Sequence, residues 1–212
     1  MKSRTFKVLA LFLVVGLSSG LLSISVAVWS KAWGWVGLGA ILAAGLLVSM
    51  IIAAGLKWIP LKASLRRALF ATLIIIAAYP LAVLVMLGSA FFYDSLYAAR
   101  FGGPDVTDGI IGGLYPAAIV GAILVSLALR VLTRKWDRQA FVLMIVAGVA
   151  TIPLSTAIAG LIGEPNWHLV LFPVGEAFFS AVCGYWLVRA SPVEERVVAS
   201  PATAGESHHR SA

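Results

Sequence analysis

The chain has 212 residues, of which 61% are hydrophobic and only 12% charged, where a soluble domain carries roughly a quarter charged. A soluble globule of this size cannot hide that much apolar surface, and disorder needs the opposite composition, low in hydrophobic and rich in charged residues. One cysteine, Cys183, excludes a disulfide framework and any Cys-based zinc site. What remains is a polytopic membrane protein.

A membrane-crossing helix needs about 20 apolar residues to cover roughly 30 Å of hydrocarbon. Six such stretches are read along the chain, at 8–29, 34–56, 68–92, 109–129, 140–163 and 167–188. Backbone inside lipid must satisfy its own hydrogen bonds, so long uninterrupted apolar runs mean helices. The expected fold class is all-α, a single bundle of six transmembrane helices over 1–190. The stretch 191–212, poor in large apolar residues, reads as a disordered cytoplasmic tail.

The first stretch follows Lys2, Arg4 and Lys7, and Ser25-Val26-Ala27 loosely resembles a cleavage site. Its apolar length exceeds an ordinary signal-peptide core and favours a retained helix. Fourteen of the 16 Lys and Arg fall at one set of span ends, and only Lys31 and Arg100 fall at the other. This alternation places both termini in the cytoplasm and the protein in a plasma membrane, the inner membrane if the cell is bacterial. It also accounts for the net charge of +7 without a nucleic-acid partner. All seven tryptophans lie near span ends, the depth at which an apolar ring with one polar tip is favoured.

The connection from Tyr93 to Asp108 reads as an irregular outer loop around Gly102-Gly103-Pro104-Asp105, with Asp108 as a cap for the fourth helix. Asp94, Asp105 and Asp108 match no calcium-loop spacing, so no metal and no cofactor is expected. Ala78-Tyr79-Pro80-Leu81 in the third span parallels Leu114-Tyr115-Pro116-Ala117 in the fourth. This is either a weak inverted repeat of the kind that builds transporters or a shared packing solution.

Glu176 is the one carboxylate inside a span, and no Lys, Arg or His lies at its depth. An intramembrane acid must be protonated, paired or facing water, and it carries a presumption of function. Tyr79, Tyr115, Thr151, Ser155 and Thr156 are its candidate partners. Ser180 and Cys183 follow it along the same helix face. Pro80, Pro116, Pro153 and Pro173 put a proline inside each of the last four spans, which predicts kinks around a polar cavity. His168 and Glu164 would stand at the outer mouth of such a pocket. Gly16 with Gly20, Gly39 with Ala43, and Ala117 with Gly121 have the spacing of close helix contacts.

In span count and length the chain is similar to the vitamin-binding subunits of energy-coupling-factor transporters, a likeness of architecture that no motif accompanies. The leading expectation is a small-solute transporter or substrate-binding membrane subunit with its site among helices three to six. It would act alone, as a homo-oligomer or with a partner membrane subunit. Two further classes stay open. One is a structural or assembly protein in which Glu176 only fixes helix packing. The other is a membrane enzyme acting on a lipid or isoprenoid near His168 and Glu164.

Overall fold

The computed structural model describes residues 2–29, 34–59, 63–101, 106–163 and 167–191. It contains α1 (Lys2–Trp29), α2 (Gly34–Gly55), α3 (Leu65–Phe101), α4 (Val106–Thr133), α5 (Arg138–Ile162) and α6 (Trp167–Arg189), with no strand among the described residues. All six helices are long and apolar enough to cross a membrane. Their outer faces carry the chain's large apolar side chains, among them Leu17, Leu21, Leu73, Leu84, Phe91 and Val146. In water this would be a fault, whereas against lipid it is the expected surface.

Each helix packs against the next in the sequence, and α6 returns to pack along α1, so the six form a closed ring. Neighbours run antiparallel. Phe12, Gly16 and Gly20 of α1 meet Gly184, Ser180 and Pro173 of α6 in descending order. A Cβ added at Gly16 would lie 2.5 Å from the Glu176 carbonyl oxygen. Only glycine lets the two backbones come this close, which is how small residues associate membrane helices without a hydrophobic driving force. Gly39 of α2 similarly admits the Ile76 carbonyl of α3. That carbonyl is the one Pro80 leaves without its helical donor. Each of the four proline-bearing helices continues through its proline.

One end of the ring gathers the starts of α1, α3 and α5 with the ends of α2, α4 and α6, and is bound by arginines. Arg4 donates to the Trp58 carbonyl. Arg67 donates to the Leu132 carbonyl at 3.4 Å. Arg189 pairs with Asp137 at 2.9 Å, and Asp137 also caps α5 by accepting from the Ala140 N–H at 3.0 Å. Cations at helix C-termini satisfy the last carbonyls and oppose the helix dipole.

Two elements depart from the expected organisation. The connection read as an irregular outer loop is mostly helix, since α3 runs on to Phe101 and α4 begins at Val106. Asp108 therefore lies inside α4 and does not precede it. Apolarity marks where a span leaves lipid, whereas a helix ends where its hydrogen bonding is interrupted. At 37 residues, α3 is about 55 Å long, so at ordinary tilts it projects past the hydrocarbon. Trp186 also differs from an interfacial anchor. It is 0% exposed and lies in the core at the arginine end, edge-on to Trp136 at 5.7 Å between centroids. Of the expected disordered tail, only Ser191 lies within the described residues.

Candidate functional site

Glu176 is 2% exposed. Its carboxylate accepts three hydrogen bonds, from Ser19 Oγ to Oε2 at 2.5 Å, from Ser23 Oγ to Oε1 at 2.6 Å and from Tyr79 Oη to Oε1 at 3.0 Å. Ser19 and Ser23 are one helical turn apart on α1 and share the stripe of Gly16 and Gly20. The tight α1–α6 contact is what brings their short side chains within reach. Elsewhere in these helices Ser18, Ser49 and Thr72 each donate to the carbonyl four residues back. Ser19 and Ser23 give up that local bond to reach the Glu176 carboxyl, a bond roughly twice as strong when that carboxyl is ionised as when it is neutral.

Beside this cluster the helices line a partly open cavity of about 530 Å³. α2 to α6 all contribute to its wall, including Leu42, Met86, Ala118, Gly148 and Phe172. Among the described residues, Glu176, Tyr79 and Thr151 are the only side chains in the wall that carry a polar group. The Thr151 hydroxyl is already donated to the Ala147 carbonyl at 2.7 Å. Ala118 approaches Gly148, and Val125 lines the side toward the arginine end, so the space lies level with Glu176 and extends toward Met86 and Leu114. A Cβ at Gly121 would meet nothing within 4 Å, because that glycine opens onto the cavity. It does not bring two helices together, as its spacing from Ala117 had predicted.

Of the residues expected at the site, Tyr79 donates to Glu176 and Thr151 lines the cavity. Tyr115 is 38% exposed on the outer surface, so the two tyrosines of the suspected repeat occupy non-equivalent places. Ser155 is buried but spends its hydroxyl on the Thr151 carbonyl at 2.7 Å. Thr156 bonds to the Ile152 carbonyl at 3.1 Å. Ser180 is buried one turn below Glu176 and packs against Gly16. The cavity predicted to be polar is overwhelmingly apolar, and none of Pro80, Pro116, Pro153 or Pro173 lines it. Pro173 instead packs on Gly20. His168 belongs to the first turn of α6, while Glu164 lies outside the described residues. Among the described residues no three His, Cys, Asp or Glu side chains gather as a metal site would require.

The contribution of α1 was missed. Its signal was present as four small residues at 16, 19, 20 and 23, which fall on one helical stripe with two hydroxyls among them. Comparison with protein-family models, with curated proteins and with solved structures gives no match in any of the three.

Proposed function

We propose that the chain is a multi-pass plasma-membrane protein, with both termini in the cytoplasm, that binds a small solute in the cavity beside Glu176 and moves it across the bilayer. It does so alone, as a homo-oligomer or as the substrate-binding subunit of a larger assembly. The 14-to-2 distribution of Lys and Arg supports the orientation. The observation that carries the reading is a buried carboxyl, with no counter-charge among the described residues, on the wall of a cavity of about 530 Å³. This volume lies within the range of small-molecule sites, and an intramembrane acid is retained at a cost of several kcal/mol only where something offsets it.

Native mass spectrometry of the protein in mild detergent tests the proposal. A bound small molecule that is lost in both Glu176→Gln and Gly121→Phe is the expected result. A bare chain from fresh membranes would count against it.

A second reading, a structural or assembly protein, draws on a different observation. The three hydroxyls on Glu176 join α1, α3 and α6 at one point, which is how a polar group fixes helix packing. In that case Glu176→Leu abolishes folding while Gly121→Phe leaves every property of the protein unchanged.

A further inference from the structure

We infer that the solute is a lipophilic monovalent cation, an organic amine or onium ion, and that it binds Glu176 in exchange for a proton. This rests on the cavity-binding reading above and specifies its ligand.

The cavity wall excludes most solute classes. Sugars, peptides and nucleotides need many hydrogen bonds once they leave water, and each missing one costs a few kcal/mol. Here the wall offers almost none, because the Tyr79 hydroxyl is donated to Glu176 and that of Thr151 to the Ala147 carbonyl. Anions are disfavoured as well, since among the described residues Glu176 is the one ionisable acid in the wall and no Lys, Arg or His lines it. The wall therefore suits an apolar body of drug-like size.

The carboxylate calls for one positive charge. An ionised carboxylate has about four lone-pair sites. Ser23 and Tyr79 occupy two on Oε1, and Ser19 occupies one on Oε2. One site, on Oε2, is left. Among the described residues, the groups facing Glu176 supply hydroxyls and hydrocarbon but no countercharge. From α1 come Ser19 and Ser23, from α3 Tyr79, and from α5 Thr151. Its own helix adds Ser180 and, further along, Cys183; α2 and α4 bring only apolar residues to the wall. A buried carboxylate with three hydrogen bonds and no cation is stable only when its last site takes a proton or an external positive charge. Phe172 and Phe179 stand in the same wall, and aromatic faces attract a desolvated cation.

Proton and organic cation compete for one charge, so they cannot be held together. The protonated carboxyl loses its proton to water, the carboxylate pairs with the incoming cation, and the net charge of the site does not change. Binding of each cation releases one proton. Below the titration of the carboxyl the affinity falls about tenfold per pH unit. Exchange of this kind couples movement of the cation to a proton gradient in the opposite direction.

Tetraphenylphosphonium and tetraphenylborate, matched in size and shape and opposite in charge, provide the test. Each is titrated calorimetrically into the purified full chain in mild detergent, in two buffers of different ionisation enthalpy, at several pH values. The expected result is saturable binding of the phosphonium with release of about one proton, tighter at higher pH, and no binding of the borate. Glu176→Gln should lose at least tenfold in phosphonium affinity and all proton release, while its helical signal and melting stay close to the parent. Equal binding of both ions, or phosphonium binding without proton release, would overturn the inference and leave the cavity as a site for another ligand. Phosphonium binding undiminished in Gly121→Phe would overturn the cavity-binding reading itself.

Discussion

Tyr79 of α3 donates its phenolic hydrogen to Glu176 of α6 at 3.0 Å, across the interior of a ring in which those two helices are not neighbours. A phenol is long enough to bridge the gap, and its ring forms part of the cavity wall at the same time. The carboxylate is thus tied to α1 by two short side chains at a tight contact, and to α3 by one long side chain over open space. These two kinds of attachment respond differently to substitution.

Tyr79→Phe removes the long link and leaves both serines in place. Loss of a hydrogen bond to a neutral group, as the protonated carboxyl is, costs about 0.5–1.5 kcal/mol in a protein interior, and less where the partner keeps another donor. We expect a drop in unfolding free energy of about 1 kcal/mol, since Ser23 still donates to the same oxygen. Thermal melts in detergent, followed by circular dichroism at the helical bands, measure it.

Ser19→Ala with Ser23→Ala removes both links to α1. Ser19 and Ser23 are buried where water does not reach, so the carboxylate loses two donors without replacement. The double variant should lose about 2–4 kcal/mol, more than twice the Tyr79→Phe effect. Adding Glu176→Gln should recover part of that loss, because a neutral amide needs fewer donors. A double-mutant cycle on the melts that shows strict additivity would contradict this coupling.

How much of this was legible in the sequence depended on the physics that each residue obeys. The six helices were legible because long apolar runs have no other stable form in lipid, and Glu176 because a carboxylate inside such a run is costly. Closure of the ring by α1 on α6 was not, since Gly16 and Gly20 announce a close contact without naming the partner. Ser19 and Ser23 were overlooked because helical serines ordinarily bond to their own backbone, as Thr151, Ser155 and Thr156, expected at the site, in fact do. The length of α3 was hidden for another reason. Residues 93–101 are polar enough to leave the bilayer yet remain good helix formers, with Leu96, Ala98, Ala99 and Arg100 among them.

Asp137 separates a cap from an ion pair. Its Oδ1 accepts from the Ala140 N–H at 3.0 Å, while Oδ2 meets Arg189 Nε at 2.9 Å. The Arg189 side chain is 41% exposed, so solvent screens the pair and holds its contribution to about 1 kcal/mol or less. Asp137→Asn keeps the cap and should melt with the parent, whereas Asp137→Ala should lose about 1 kcal/mol. Equal destabilisation in the two variants would assign the stability to the ion pair.

The glycines give the sharpest contrast, because helix propensity predicts the same sign at every helical position and the packing does not. Glycine to alanine in a helix interior gains up to about 1 kcal/mol from propensity alone. At Gly121, where a Cβ meets nothing within 4 Å, that gain should appear in full as a higher melting temperature. At Gly20 the added carbon would lie 2.8 Å from the Phe172 carbonyl oxygen and closer still to Pro173. At Gly16 it would meet the Glu176 carbonyl. Backbone cannot turn aside as a side chain can, so α1 must move off α6, and overpacking of this kind costs about 1–3 kcal/mol. The displacement also pulls Ser19 and Ser23 away from the carboxylate, so Gly20→Ala should lose affinity for any ligand of Glu176 as well as stability. Gly20→Ala that melts and binds like the parent would mean that α1 and α6 do not pack through this stripe, and that the two serines reach Glu176 by some other arrangement of the ring.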